Sequence, residues 1–218
     1  MPEFPRSPVS PAELLENYLP AAIATAPSAG RIGDVSVALG VQIVGEGGGE
    51  WVLDLREGAV SVRAGSREKT AFSYVQTVDD WRGALWEGRG GAVGRATAAL
   101  FQPGAPEVEA VAGVVGAGIP AVLQALEAVR GLLHIVVSDD RGEWRVGLQL
   151  GPGAVPAAPT TEVCVSSADA DALFRGDLKP IEAFMAGRIR VLGDMGLVFQ
   201  IQAAQMQVAS AHDPARRA

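Results

Sequence analysis

Residues able to do acid–base, metal or nucleophilic chemistry are few in this chain and lie apart. Histidine occurs twice, as His134 in LLHIVVS and as His212 in the tail, and cysteine once, as Cys164 in TEVCVSS. A structural metal site draws three or four His, Cys or carboxylate ligands together at short spacings, and neither histidine has such neighbours, so no metal ligands are assigned. The paired carboxylates read structurally. Asp79-Asp80 open a helix, where negative charge complements the dipole, and Asp139-Asp140 sit in a hairpin turn before Arg141-Gly142. No G-x-S-x-G elbow and no lysine-bearing phosphate loop occurs. GRGGAVG, residues 88–94, has glycines spaced as in a dinucleotide loop, but it follows a helix instead of a strand and is expected to be a turn-rich linker. Cys164 is expected as a buried strand thiol. The expectation is a protein that is not an enzyme and uses no cofactor.

What the sequence does concentrate is apolar surface near its C-terminal end. In IEAFMAGRIRVLGDMGLVFQIQ, residues 181–202, Pro180 leads a short helix with Ile181, Phe184 and Met185 on one face, and Gly187 ends it. Arg188 to Leu192 alternates as a strand with Ile189 and Val191 to one side. Gly193-Asp194 turns the chain, and the Asp194 side chain caps the next helix. That last helix carries two apolar rows, Leu197, Ile201, Ala204 and Val208 in one, Met195, Val198, Phe199 and Met206 in the other. One row can pack on a sheet, and the second needs a different cover: a neighbouring domain, a partner chain or an apolar ligand. Methionine suits a ligand of variable shape, and equally an ordinary broad helix core.

The elements that must position this segment fall into two similar sets. The first has a helix over PAELLENYLPAAIATA, with Ser10 as N-cap and a kink near Pro20, then alternating strands VSVALGVQIV, GEWVLDL, GAVSVRAG and KTAFSYVQ, then a helix over DDWRGALWEG. The second has a helix over GIPAVLQALEAVRGLL, with Val122, Leu123, Leu126 and Val129 inward and Gly131 as its stop. Strands through HIVVSDDRGEWRVGLQL and TEVCVSS follow it, and then a short helix with Leu173, Phe174 and a stop at Gly176. Gly49-Glu50-Trp51 recurs as Gly142-Glu143-Trp144, and Gly58-Ala59-Val60 as Gly153-Ala154-Val155, in the same order, which reads as an internal duplication. Trp51, Trp81, Trp86 and Trp144 are read as core. The division expected is a disordered leader over 1–10, a degenerate unit over 11–103, a complete unit over 104–210 and a disordered tail over 211–218.

Composition removes several classes of function. The 218 residues carry 18 Lys+Arg against 25 Asp+Glu, a net charge of −7, with no basic cluster, so a nucleic-acid partner lacks its electrostatic footprint. The longest apolar run, Ala110 to Leu123, is too short to span a bilayer and contains Pro120. The N-terminus has four prolines and no apolar core, unlike a signal peptide, and a cytoplasmic location is expected.

LFRGDLKPIEAFMAGRIRVLGDMGLVFQIQ resembles the C-terminal part of sterol carrier protein type 2 domains: a short helix ending in glycine, a Pro-led turn, Ala-Phe-Met-x-Gly, a basic and apolar strand, Gly-Asp and a closing helix. The likeness covers roughly Pro120 to Val208. Residues from about Pro11 to Gly88 are similar through their first helix, GEWVLDL and DDWRGALWEG, and depart after that, because GRGGAVGRATAALF is too short to supply the final strand and closing helix. The resemblance implies an α+β fold, a curved, mainly antiparallel sheet of about five strands per complete unit faced by helices, around an apolar cavity that takes fatty acyl, sterol-like or prenyl lipid. The lining it implies is Leu173, Phe174, Ile181, Phe184, Met185, Ile189, Val191, Met195, Val198, Phe199 and Met206. Its expected partner is an apolar lipid, with transient membrane contact, no transmembrane segment and no nucleic acid. Two alternatives stand beside it: a ligand-free interaction module in which the first unit covers the apolar closing helix, and an accessory subunit in lipid or quinone metabolism.

Overall fold

Ser10 starts the first helix as the sequence requires: its Oγ accepts from the Glu13 amide at 3.1 Å and its carbonyl accepts from the Leu14 amide at 3.1 Å. The computed structural model describes residues 2–25, 36–56, 59–103 and 125–211. The helix does not break at Pro20. A π-helical segment, Glu13–Tyr18, runs directly into α1, Leu19–Thr25, with the Leu19 amide reaching back to the Leu14 carbonyl. A proline ring clashes with the carbonyl four residues earlier, and the wider π turn ahead of Pro20 shifts that carbonyl aside. Leu14, Leu15, Leu19 and Ala22 are thereby kept on one buried face. Residues 2–10, expected as a disordered leader, instead lie on the protein. Phe4 meets the rings of Tyr18 and Trp86 at centroid distances of 5.5 Å, and the Trp86 indole N–H donates to the Pro5 carbonyl at 2.8 Å. The expected tail over 211–218 lies outside the described residues apart from Ala211.

The strands are β1 (Val37–Val44), β2 (Gly49–Arg56), β3 (Ala59–Ala64), β4 (Phe72–Thr77), β5 (Gly131–Asp139), β6 (Gly142–Leu150), β7 (Thr161–Ser166) and β8 (Ile189–Gly193). The fold is α+β, as expected, but the strands join into one mixed eight-stranded sheet, ordered β3-β2-β1-β4-β6-β5-β7-β8. From β3 to β6 the successive pairings are antiparallel, antiparallel, parallel and antiparallel. From β4 to β8 the same series recurs. Each half therefore sees a five-stranded sheet, and the two share β4 and β6. The place that β8 fills beside β7 is filled beside β4 by β6, a strand of the other half.

The helices after β4 are α2 (Val78–Trp86) and α3 (Gly91–Leu100); those after β7 are α4 (Ser167–Arg175), α5 (Pro180–Met185) and α6 (Met195–Ala211). Helix α3 corrects the linker expected over GRGGAVG. Gly90 turns the chain in the left-handed region at φ 81°, and the helix begins at the next residue. Its small residues are required by what it touches. A Cβ on Gly90 would meet the Trp144 ring at 2.6 Å, one on Gly91 would meet Ser167 Oγ at 2.6 Å, and one on Gly94 would meet the Arg89 carbonyl at 1.8 Å. Helix α3 thus wedges between α2 and α4 and is tied to the latter by Arg95–Asp171 at 2.9 Å.

Trp144 is fully buried at this junction, and its indole N–H donates to the Asp80 carbonyl in α2 at 2.7 Å. Around it Gln76 Nε2 donates to the Arg145 carbonyl at 2.7 Å, Arg89 to the Glu143 carbonyl at 2.8 Å and Arg141 to the Glu87 carbonyl at 3.0 Å. Trp51 and Trp81 are buried as well, and Trp86 is half-buried. Residues 104–124, which include the expected boundary and the start of the second half's first helix, lie outside the described residues. That helix ends at Leu126, and Gly131 does not stop it but opens β5 at φ 144°. Replacing Trp144 by Ala is expected to cost about 3–5 kcal/mol, the usual range for a buried aromatic deleted from a core, read as a lower midpoint in urea denaturation.

Candidate functional site

Helices α1, α2, α3, α4 and α6 pack against one face of the sheet, and strand alternation fixes which residues point there. In the second half they are Leu133, Ile135 and Val137 of β5, Val146 and Leu148 of β6, Val163 and Val165 of β7, and Ile189 and Val191 of β8, neighbours through the pairs Leu133↔Leu148, Ile135↔Val146, Ile135↔Val163 and Val163↔Val191. Two groups of side chains cover the ends of this row. On one side Val137, Trp144, Val146 and Val165 pack with Ala84 of α2 and Ala170 of α4. On the other, Leu126, Val129, Leu197 and Ala204 pack on Phe72 and Leu150, with Leu133 and Ile201 against them. Between them Leu148 remains 37% exposed. An inward leucine on a central strand of eight should be covered, so the described helices part over this point of the sheet.

The local geometry that frames the opening follows from caps and turns. Ser166 Oγ accepts from the Asp169 amide at 3.1 Å to start α4, and Gly176 ends it at φ 78°. Pro180 occupies the first turn of α5, and Gly187, at φ 70°, closes it. Arg188 Nε donates to Asp169 at 2.8 Å, tying the start of β8 back to α4 and holding the Asp169 carboxyl below its ordinary range. Asp194 Oδ1 accepts from the Gly196 amide at 2.7 Å, and Thr161 Oγ1 donates to the Asp194 carbonyl at 2.6 Å, fixing where α6 leaves the sheet.

None of the eleven expected lining residues is fully buried, and they divide into two sets. Leu173, Ile189 and Val191 are half-buried along the inner face and Val198 is half-buried on α6, while Phe184 and Met195 are 44% and 38% exposed. Phe174, Ile181, Met185, Phe199 and Met206 are more exposed still. Helix α5 shows why. Its inward position belongs to Ala183, fully buried, which lets the helix sit close to β8 and turns Ile181 (70% exposed) and Met185 (83%) to the outside. On α6, Leu197, Ile201 and Ala204 face the core, while Met195, Val198, Phe199 and Met206 form the outer row, the division read from spacing. The side chain of Val208 is outside the described residues. Leu148 was missed: alternation in GEWRVGLQL points it inward, but nothing in sequence shows what lies over it.

The opposite face of the second half mixes buried Leu132 and Val136 of β5 with polar side chains. His134 of β5 lies beside Glu162 of β7, with Nδ1 3.8 Å from Oε1, and Arg145, Cys164 and Arg190 continue the surface. Cys164 is partly exposed, where a buried thiol was expected; partial burial still raises its pKa. Burial lowers the His134 pKa, opposed by Glu162. Among the described residues no three His, Cys, Asp or Glu side chains converge as metal ligands, and no helix is long and apolar enough to cross a membrane.

Residues 116–206 match the sequence profile of the SCP-2 sterol transfer family, so the chain carries a sterol-carrier domain over that span. The chain is similar to hydroxysteroid dehydrogenase-like protein 2 of Xenopus tropicalis, 33% identical over 85 residues, 36% of this chain and 20% of that protein. It is also similar to sterol carrier protein 2 of Homo sapiens, 31% identical over 96 residues, 40% of this chain and 18% of that protein. The match thus spans about a fifth of these relatives. Among solved structures, palmitated SCP2L2 of Aedes aegypti aligns with 45% of this chain and 88% of its own, at 23% identity and a TM-score of 0.33.

His134 makes the stability of the fold depend on pH. With its pKa lowered in the fold, His134 takes up a proton more readily in the unfolded chain, so its contribution to stability is present above about pH 6.5 and is lost as pH falls through the folded pKa. The thermal midpoint should fall between pH 7.5 and 5.5, and His134→Gln should flatten part of that fall.

Proposed function

We propose that the second half binds the hydrocarbon part of a lipid, fatty acyl, sterol-like or prenyl, without chemical change, and that the protein acts as a carrier. The observation that carries this reading is Leu148, exposed on the inner face of a central strand and continuous through the strand register with half-buried Ile135, Val163 and Val191. The match of residues 116–206 to a sterol transfer family supports it. Each methylene moved from water onto such a surface contributes about 0.8 kcal/mol, so the site needs area and no catalytic group. Phe184, Met195, Val198 and Phe199 border the strip and would close over a bound chain, and the flexible thioether of Met195 would fit ligands of different width.

The two halves, in this reading, descend from a duplication in which only the second kept a binding face. Helix α3 and the shared strand β6 occupy what would be the first half's closing elements. The first half then serves as a scaffold whose β4 completes the sheet beneath the site.

Native mass spectrometry of the purified protein should show copurified lipid, and fluorescent fatty acid should bind and be displaced by palmitate. Leu148→Asp and Val191→Asp, each at a partly exposed position, should reduce that binding at least tenfold with an unchanged circular dichroism spectrum. A folded wild-type protein that takes up no amphiphile would instead identify a ligand-free interaction module.

A further inference from the structure

The strip through Leu148, Ile135, Val163 and Val191 is apolar, but the strand on its other side brings a hydroxyl group to it. Leu148 pairs across the seam with Tyr74 of β4, so Tyr74 stands beside it on the inner face, half-buried, with its ring against Phe101 at a centroid distance of 5.4 Å. Tyr74 belongs to the first half and lies outside residues 116–206. Its counterpart in the second half is Val163, since β4 pairs with β1 as β7 pairs with β5, and Thr77 and Ser166 cap the helices that follow. By the same alignment Gln76 stands where the second half has Val165. Valine serves at both positions of that half, so the strand itself does not require Tyr and Gln.

The hydrogen bonds around Tyr74 run in one direction. Gln76 Nε2 donates to the Arg145 carbonyl at 2.7 Å, which turns Gln76 Oε1 toward Tyr74, and the Tyr74 hydroxyl donates to that oxygen. Its proton is thereby committed, while its own oxygen keeps lone-pair capacity that no described residue uses. Burial and the negative charge of Asp80 hold the Tyr74 pKa well above the ordinary tyrosine value, so the hydroxyl stays neutral. Among the described residues no Arg or Lys stands at an inner position of β4 to β8. A ligand carboxylate beside Tyr74 would meet lone pairs and the field of Asp80 with no cation to offset them. A ligand hydroxyl would extend the series by one more donor.

We infer that Tyr74 reads the polar end of the cargo and selects a neutral lipid bearing a hydroxyl group over an ionised fatty acid. The inference rests on the carrier reading and deepens it: the second half supplies the apolar strip, and the first half supplies the acceptor that chooses what lies on it.

The test is displacement of a bound fluorescent fatty acid from the full chain at neutral pH by dodecanol, dodecanoate or methyl dodecanoate. These share one hydrocarbon chain and end in a hydroxyl donor, an anion and a neutral acceptor. Dodecanol should act at about fivefold lower concentration than methyl dodecanoate, the worth of one hydrogen bond, and at about tenfold lower or less than dodecanoate. Tyr74→Phe should bring dodecanol and methyl dodecanoate together. Gln76→Leu, which frees the Tyr74 proton to donate to the ligand, should narrow the gap between dodecanol and dodecanoate. A purely structural role for either residue would move all these lipids alike, and circular dichroism reports whether each variant is folded. Equal displacement by these lipids in the wild type, or a preference for dodecanol that Tyr74→Phe leaves in place, would overturn the inference and leave the carrier reading standing. A folded wild-type protein that takes up none of them would overturn both.

Discussion

The arrangement rests on one contact, the antiparallel seam between β4 and β6. Only four residue pairs form its ladder, Phe72↔Leu150 through Val75↔Gly147. Beyond Val75 the strands diverge, and side chains continue the join: Gln76 reaches the Arg145 carbonyl, and Trp144 drives its ring under α3 while its N–H holds α2. Gly147 is part of the same constraint, since a Cβ there would press on Val75 at 3.1 to 3.2 Å. A short ladder stabilises little alone, and the buried tryptophan supplies the apolar area that makes the join firm.

The seam also fixes the surface over the second half. With β4 completing that half's sheet, β6 becomes a central strand and Leu148 an interior position by register. Helices α2 and α3, which belong to the first half, cover the Trp144 end of β6, and α6 with Leu126 and Val129 covers the Leu150 end. Leu148 lies where the two sets of described helices stop. The opening is thus a product of the joining of the halves as much as of the second half's own helices.

Much of this was legible in sequence where short-range chemistry decides it. Ser10, Asp194 and the glycines at 176, 187 and 193 act as the caps and turns their positions implied, because such groups act within a few residues of themselves. The two apolar rows of α6 were legible for the same reason. What escaped depends on partners distant in sequence. The pairing of β4 with β6 leaves no mark on either strand, since alternation gives a face and not a neighbour. Helix α3 was hidden by glycines that read as breakers and are instead the room that Trp144 and Ser167 require. On α5 the largest residues suggested the inward face, yet Ala183 took it, because close approach to an edge strand favours a small side chain over an apolar one.

Joining the halves alters how the molecule meets other unfolded or misfolded chains. Two separate five-stranded sheets would present four unsatisfied strand margins to the solvent, each a template on which a foreign strand could grow. Sharing β4 and β6 leaves the described sheet with two, β3 and β8, and arginines stand on both, Arg63 and Arg190. The continuous sheet thus offers a foreign strand two margins in place of four.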